Sequence, residues 1–432
     1  MEAASSPANA SAAVHLADRT RHHTAVRLLP FLFILYIINY LDRTSLAYAA
    51  LRMSRDLGFS ERVIGLGAGI FFISYVALQI PGALLVERWS ARRMIGGTMI
   101  AWGSLTGLTA LVHTPGQLYL VRLCLGAAEA GFFPGVIVYL SHWFIREDRA
   151  KAASNFMGAI PLSFVLGSPL AGWILGHHWL GLEGWRWLFV LEGSPAILLG
   201  MVAFFFLTDW PDEASWLAFE QRQWIEQKLQ QEKPVSAQRI TAWQALRSRT
   251  IVLMAVAAFL NYFVLYSFAF WFPTMLQRQC RLSEMRVGLL GAVPYLVTLL
   301  VMQLNGWHSD KSLERRWHSS IPVFIAATGS LGLIIQPHSI PLAMVLFTMV
   351  SVVYAYLPTF WAIPTETLSS STAAAAVGTI NSVGSIAGFA GPYIFGYSYT
   401  LTGSFSYGLA GMLIAALAGG ILNLRAPDAL AN

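Results

Sequence analysis

Long apolar runs make up most of the sequence, and each run is long enough to cross the hydrocarbon core of a membrane. One helical crossing needs about 20 residues. Only 12% of the 432 residues are Asp, Glu, Lys or Arg, against roughly 25% in a soluble domain. The sequence therefore predicts an all-α integral membrane protein with twelve transmembrane helices. Their approximate centres are Ile37, Ser74, Ser104, Ala127, Phe164, Leu198, Val264, Val297, Thr328, Tyr354, Gly384 and Ile414.

Basic residues are distributed unevenly between the predicted loops, and this indicates the orientation. With the N-terminus in the cytoplasm, the cytoplasmic segments hold 19 Lys and Arg residues and the opposite face holds 7. The positive-inside rule then predicts that both termini are cytoplasmic. The net charge of +6 reports topology, so we expect no nucleic-acid partner. The predicted organisation is a tail (1–27), a six-helix bundle (28–209), a cytoplasmic loop (210–249), a second six-helix bundle (250–424) and a tail (425–432).

Two cytoplasmic loops share a pattern of one acid followed by a pair of arginines. The two acids are 223 positions apart, about half the chain, which indicates two six-helix halves related by duplication. Basic residues collect in cytoplasmic loops in any case, but this does not explain the acid five positions ahead of each pair. We expect an ion-pair latch here that stabilises one access state. Its predicted members are Glu87, Arg88, Arg92 and Arg93 in the first loop and Asp310, Arg315 and Arg316 in the second.

Two arginines remain that no loop accommodates, Arg43 in the first predicted span and Arg122 in the fourth. Each is costly at mid-span unless it faces a cavity and has a partner. Asp42 is adjacent to Arg43, and Glu129 follows Arg122 by seven residues, which places it on the same helix face about 10 Å along the axis. Two arginines that face a cavity suit a carboxylate, because the guanidinium group matches two oxygens and keeps its charge. We therefore expect Arg43 and Arg122 to bind the substrate.

The two nearby carboxyl groups are candidates for carrying protons. Burial favours the protonated form of a carboxyl group, and a neighbouring arginine favours the ionised form. Asp42 and Glu129 can thus bind and release protons as substrate and water come and go. The alternative is that the four charges form two internal salt bridges that only hold helices in register. Glu192 and Glu366 lie nearer the ends of spans, and we expect them to be interfacial or gating groups.

Polar and aromatic residues at mid-span are candidates for holding the rest of a small solute. Each is equally compatible with a packed core position, but the set is spread over both halves, as a central site between repeats requires. It consists of Tyr40, Tyr75, Asn261, Tyr266, Trp361 and Asn381. The sequence shows no cluster of metal ligands, and two cysteines exclude a Cys-rich site. We expect no enzymatic activity, no metal and no cofactor other than coupling protons.

Four segments carry a family resemblance: Asn39–Arg43, Glu129–Gly135, Gly184–Gly193 and the run from Trp361 to Pro392. In these the chain resembles the anion:cation symporter family of the major facilitator superfamily over nearly the whole membrane domain. The stretch from Trp307 to His318 resembles bacterial tartrate and 4-hydroxyphenylacetate permeases in particular. Sugar-acid transporters, sialin and vesicular glutamate transporters are similar at a greater distance.

The resemblance implies the major facilitator fold, with two pseudo-symmetric bundles and a central anion site. It also implies uptake of an organic acid with protons across a bacterial inner membrane. By position, Arg43 and Arg122 would hold the carboxylate, while Asp42 and Glu129 would carry protons. The fifth span is apolar at 158–161, where sugar-acid members tend to place a polar contact, so a small or aromatic carboxylate is favoured over a polyhydroxy acid.

Two further functions are compatible with the same features. One is that of an anion exporter or exchanger of the same fold. The other is that of a sensor that binds a carboxylate without moving it. In each case the expected partners are a small carboxylate, protons and the lipid bilayer, and we expect the protein to act as a monomer.

Overall fold

The computed structural model describes residues 7–145, 148, 158–232, 247–335, 339–367 and 370–426. In these ranges the chain is helical apart from its turns, and it contains no β-strand. The helices in chain order are α1 (Pro7–Leu57), α2 (Glu61–Arg88), α3 (Ala91–Thr109), α4 (Pro115–Glu129), α5 (Phe132–Trp143), α6 (Ala159–Leu175), α7 (Gly184–Phe206), α8 (Phe219–Gln231), α9 (Arg249–Cys280), α10 (Glu284–Ser312), α11 (Arg316–Ile334), α12 (Ile340–Ser351), α13 (Leu357–Thr367), α14 (Ser370–Thr402) and α15 (Ser406–Leu424).

The predicted spans coincide with these helices. Eleven of the twelve predicted centres lie in α-helices, and Tyr354 lies in the 3-10 segment Val352–Tyr356 that joins α12 to α13. By length and composition, nine segments of the described chain can cross a membrane, and α6 is a shorter apolar helix. The third and eleventh predicted spans, α3 and α14, are not among the nine. The all-helical membrane class is therefore confirmed, and the count of twelve stays a prediction.

The first helix extends into the segment that the sequence predicts to be a tail. It runs without interruption over 51 residues, so part of the range 1–27 is a helical extension of the first span. This extension packs against α8 of the central loop. Leu217 and Ile225 of that loop are buried, and the Trp216 ring stacks on Trp143 with centroids 5.1 Å apart. The central loop is therefore packed against the first bundle.

The fourth predicted span is broken in the middle. Helix α4 begins at Pro115 with a capping box between Thr114 and Gln117 and ends at Glu129. A turn at 130–131 separates it from α5. This turn packs closely on α2, because a Cβ atom on Gly82 of α2 would lie 2.9 Å from the Cα atom of Gly131. The break places Glu129 at the end of a helix, inside the bundle.

Small residues let other helices approach closely, as is common in membrane proteins. A Cβ atom on Gly193 of α7 would lie 2.5 Å from the carbonyl oxygen of Gly103 in α3. Between the halves, a Cβ atom on Gly288 of α10 would lie 2.5 Å from the carbonyl oxygen of Ser168 in α6. Both pairs of helices are therefore in backbone contact.

Two ion pairs join the halves at the end of the bundle that carries the α1–α2 and α9–α10 turns, which we call the closed end. Arg52 at the end of α1 donates to Glu284 at the start of α10, with Nε and Oε1 2.9 Å apart. Arg278 near the end of α9 pairs with Glu61 at the start of α2. Each half thus contributes one arginine and one glutamate, in the crosswise arrangement that a pseudo-two-fold repeat produces.

Candidate functional site

A cavity lies between the halves, bounded by α1, α2, α4 and α6 of the first and by α9, the α12–α13 junction and α14 of the second. Its empty space is about 540 Å³, which includes solvent at its open side. Arg43 and Arg122 both line it, as the sequence predicts. Half of the remaining lining residues are aromatic, and they are Tyr40, Phe72, Phe164, Tyr266, Phe270 and Tyr354.

Arg43 is paired with Glu129 across the interface between α1 and α4. Its Nε donates to Oε2 of Glu129 over 2.8 Å, and the same oxygen accepts a hydrogen bond of 3.0 Å from Nδ2 of Asn39. The Arg43 side chain keeps 13% exposure while Glu129 has none. The guanidinium group also lies 4.8 Å from the ring centroid of Tyr75 and 5.4 Å from that of Tyr40. It is therefore held by π faces on one side and by one carboxylate oxygen on the other.

Arg122 is more deeply buried. Its Nε donates to the carbonyl oxygen of Gly67 over 3.3 Å, and its guanidinium carbon lies 5.0 Å from the ring centroid of Phe71. The acids that interact with its charge are Asp42 and Glu129. Because the hydrogen bond to Gly67 is long and its acceptor is neutral, the other N–H groups of Arg122 can turn to an anion in the cavity.

Asp42 completes the cluster of charges. It is 1% exposed, and its Oδ1 accepts a hydrogen bond of 2.5 Å from Oγ1 of Thr106 in α3. Its carboxyl group also interacts with that of Glu129. Among the described residues, neither Oδ2 of Asp42 nor Oε1 of Glu129 has a hydrogen-bond partner. A proton on either carboxyl group gives this pair of buried acceptor oxygens a donor, which two ionised carboxylates lack.

The other predicted substrate residues differ in their distance from the cavity. Tyr40 and Tyr266 line the cavity. Tyr75 does not line it, but its ring packs against the Arg43 guanidinium group, which does. Trp361 and Asn381 do not line it; both interact with Tyr262, whose ring lies 5.6 Å from that of Tyr266.

Asn261 is the prediction that the structure contradicts. Its Nδ2 donates to Oδ1 of Asn423 in α15 over 3.1 Å, and a Cβ atom on Gly419 would touch its side chain. Asn423 in turn donates to the carbonyl oxygen of Ser319 in α11. Asn261 therefore faces away from the cavity and fastens three helices of the second half, a packing role for a polar residue in a membrane.

Glu192 is also placed differently from its prediction. Glu192 is 5% exposed and its carboxyl group is hydrogen-bonded to Oγ of Ser45, so it lies inside the first half and not at the interface. The partners of the buried acids were not predicted from the sequence; they are Ser45, Thr106 and Asn39. Ser45 and Asn39 each lie three residues from Asp42, and this helical spacing on one face is the signal that identifies them.

The second predicted latch is present as a three-residue ion cluster. Arg315 Nη1 lies 2.6 Å from Asp310, and its Nη2 lies 2.7 Å from Glu366, which ties together the ends of α10, α11 and α13. The hydrogen bond from Arg315 to Glu366 raises the pKa of Arg315. Glu366 is therefore the third member, in agreement with its predicted position at a span end. Arg316 begins α11.

Glu314 in the same loop caps the start of α11. It accepts hydrogen bonds from the backbone N–H groups of Trp317 and His318. Partial burial alone raises the pKa of Glu314, but these backbone bonds and the His318 ring outweigh it and leave the pKa lowered.

In the described part of the first loop, an acid outside the predicted set contacts Ser90 and Arg92. Asp209, after α7, accepts hydrogen bonds from Oγ of Ser90 over 2.6 Å and from the backbone N–H of Arg92 over 2.8 Å, and the Arg92 side chain lies 3.8 Å from it. Arg93 is exposed. The side chains of the predicted members Glu87 and Arg88 lie outside the described part of the structure. Both clusters, as described, join helices of one half.

Fold and cavity together define a membrane transporter. The family model of the Major Facilitator Superfamily matches residues 32–392. The chain therefore belongs to that superfamily. It is a transporter and not an enzyme. A solved bacterial homologue of the human lysosomal transporter Spinster, in an inward-facing and unoccupied conformation, has a TM-score of 0.76 with 19% identity. That comparison covers 94% of this chain and 97% of the other, and at this identity it shows the fold alone.

Two curated relatives are similar in sequence over nearly their whole length. A protein of Agrobacterium vitis with the name "Putative tartrate transporter" is 40% identical over 96% of this chain and 94% of its own. A "Quinolone resistance transporter" of Acinetobacter baumannii is 33% identical over 92% of both chains. Within the described residues, no group of three or more His, Cys, Asp or Glu side chains is arranged to hold a metal ion.

Proposed function

We propose that the protein imports a small organic carboxylate together with protons, by alternating access across a bacterial inner membrane. The proposal includes twelve spans, which the twelve helical centres support, and two cytoplasmic termini, which the distribution of basic residues supports. It also takes the protein to work as a monomer, because one chain contains the whole cavity. The observation that carries it is the presence of two arginines, Arg43 and Arg122, in the wall of one cavity between the halves.

The arginines supply affinity for a carboxylate. An isolated guanidinium group in the membrane interior is costly, and each arginine here is offset by acids of the same bundle. An incoming carboxylate can take the place of those acids with bidentate hydrogen bonds. Because the aromatic walls add apolar contact, the remainder of the substrate is small and relatively flat. Tartrate-like and aromatic acids meet this description, as the name of the Agrobacterium relative supports for the first class.

Coupling to protons follows from competition between Glu129 and the substrate for Arg43. While Glu129 is ionised, it holds Arg43 in an ion pair of 2.8 Å. Protonation of Glu129 weakens that bond and frees Arg43 for the substrate. Protonation of Asp42 removes a negative charge that interacts with Arg122 without a direct ion pair. The loaded site then carries two arginine charges, two neutral acids and the anion. Loading therefore removes the need for internal ion pairs and lets the carrier change state.

In the proposed orientation, the closed end faces the outside. The ion pairs Arg52–Glu284 and Arg278–Glu61 and the α6–α10 contact then shut the outer side. The structure thus corresponds to a carrier closed to the exterior. Opening of that end requires these contacts to part while the opposite side closes, as in rocking of two rigid bundles.

The test is uptake by purified protein in proteoliposomes with an imposed inward proton gradient. The panel consists of tartrate, 4-hydroxyphenylacetate, galactarate and phthalate. The matched variants are Arg43→Gln in the site and Arg19→Gln at an exposed position of the α1 extension. We expect accumulation of at least one acid, its loss in Arg43→Gln and its retention in Arg19→Gln. Binding without accumulation contradicts transport and indicates a sensor.

Export of an aromatic carboxylate is the second candidate function. The aromatic lining of the cavity and the quinolone-resistance name of the Acinetobacter relative favour it. The direction of transport distinguishes the two functions in cells whose medium is acidic. An exporter moves the acid out of the cell against the gradient of the acid, so its expression lowers the cellular content of the acid. Expression of an importer raises that content.

A further inference from the structure

Glu192 is a buried acid that the proton cycle above does not use. It lies in α7, and its carboxyl group bonds to Ser45 of α1. Ser45 is 1% exposed and Glu192 is 5% exposed. Ser45 follows Asp42 by three residues, so the two side chains share a face of α1. The Asp42 and Glu192 carboxyl groups interact electrostatically, which makes Glu192 a third buried acid beside Asp42 and Glu129.

The surroundings of Glu192 contain no compensating charge in the described structure. Of the helices packed against α7, α3 has no ionisable residue between Met94 and Thr109, and α6 has none at all. On α1 the facing titratable groups are Asp42 and Tyr48, neither of which is a cation. An ionised carboxylate in such a place costs several kcal/mol, so the group holds a proton while it is buried.

The hydrogen bonds are compatible with that proton. Ser45 Oγ also lies 3.2 Å from the carbonyl oxygen of Leu41, to which its single proton can be donated. The contact with Glu192 is then made by the carboxyl proton, donated to Ser45 Oγ. In this arrangement the Ser45 hydroxyl group and the Glu192 carboxyl group each have a hydrogen-bond partner for their proton.

Position along the bundle distinguishes Glu192 from Asp42. Helix α7 starts at the closed end, where Nε1 of Trp185 donates to Asp56 of α1 over 2.8 Å. Glu192 lies eight residues after Gly184, about 12 Å along the axis, and Asp42 lies fifteen residues before Leu57, about 22 Å. Of these two acids, Glu192 is therefore the nearer to the closed end.

We propose that Glu192 is a third proton-binding carboxyl group of the coupling site, placed between Asp42 and the outer surface. This inference rests on the proposed function. When the closed end opens, the Glu192 carboxylate takes a proton from hydronium and leaves water. The neutral acid bonds to Ser45 during the change of state and later returns its proton to water. Its neutral form also removes a negative charge beside Asp42, so Asp42 can bind or release its own proton without that repulsion.

The experiment measures accumulation in proteoliposomes at zero membrane potential, with the panel acid that the wild-type protein accumulates. Each coupled proton adds about a factor of ten to the accumulation ratio per unit of pH gradient, since one unit is worth about 1.4 kcal/mol. We expect Glu192→Gln to keep substrate counterflow and to lower the accumulation ratio about tenfold at a gradient of about one unit. The matched control is Glu183→Gln, an exposed acid at the start of the same helix, which keeps the wild-type ratio.

The outcomes separate the two proposals. A wild-type protein that ignores the proton gradient overturns both. A coupled wild-type protein with an unchanged ratio in Glu192→Gln overturns only the role of Glu192. If Glu192→Gln is inactive, infrared difference spectra of the folded variant decide. The wild-type protein shows a protonated-carboxyl C=O band on acidification that Glu192→Gln lacks, and identical spectra overturn the inference.

Discussion

Glu129→Gln tests the competition that links protons to substrate. The substitution keeps the shape of the side chain and its hydrogen bond from Asn39, but it makes the neutral form permanent. In the wild-type protein, the ionised Glu129 holds Arg43 through a bond of 2.8 Å and competes with the substrate. In the variant, Arg43 is available at every pH.

The magnitude follows from that one contact. A hydrogen bond between charged groups contributes about 1.5–3 kcal/mol, which corresponds to about 10- to 150-fold in affinity. The wild-type protein should therefore bind the carboxylate more weakly in alkaline than in acidic medium by about this factor. The variant should bind with the acidic wild-type affinity throughout, and its proton-driven accumulation should fall while it keeps counterflow.

Calorimetric titration in nanodiscs, with the panel acid that gives uptake, measures the affinity across the pH range. The matched control is Glu366→Gln, which neutralises an acid paired with Arg315 at the other end of the bundle. It should leave the pH dependence of binding unchanged. Retention of the wild-type pH dependence in Glu129→Gln would refute the competition.

Three further predictions concern the rest of the molecule. Arg52→Gln removes one partly exposed ion pair of the closed end, which is worth about 0.2–1 kcal/mol. The distances between spin labels on the α1–α2 and α9–α10 turns should therefore become longer. An unchanged distribution of these distances contradicts a role of the ion pair in closure. Asn261→Ala should lose about 1–3 kcal/mol of stability through the orphaned Asn423 and lower the melting temperature with KM unchanged, whereas a raised KM would return Asn261 to the binding site. Because the pKa of Glu314 is lowered in the folded protein, its contribution to stability is present above the ordinary glutamate range and fades as the pH falls through the lowered value. The difference in melting temperature between wild type and Glu314→Gln should shrink in acid, and a constant difference contradicts this.

Helix positions and the residues of the charge cluster could be predicted from the sequence because they follow from local rules. Apolar run length marks where helices lie, and the cost of a charge in hydrocarbon singles out Arg43 and Arg122. The structure brings both into one cavity. Family membership is likewise confirmed by the comparisons, since the motifs around Glu129 and Gly184 are long enough to be distinctive.

Side-chain pairing could not be predicted, because it depends on how helices rotate against one another. Gly126 shows this: a Cβ atom there would lie 2.0 Å from the carbonyl oxygen of Phe71, so α2 packs directly against α4 at this position. The positions of Asn261 and Glu192 differ from the predicted ones for the same reason. A mid-span polar residue satisfies its hydrogen bonds equally well towards a cavity or towards a neighbouring helix, and only the packing decides which.

A single experiment can follow substrate and proton movement together. Proteoliposomes with an alkaline interior are given the panel acids, and internal pH and internal acid are followed together. The account predicts that accumulation acidifies the interior, stops when a protonophore removes the gradient, and leaves counterflow intact. Accumulation that continues with the protonophore present, or that moves no protons, would contradict it.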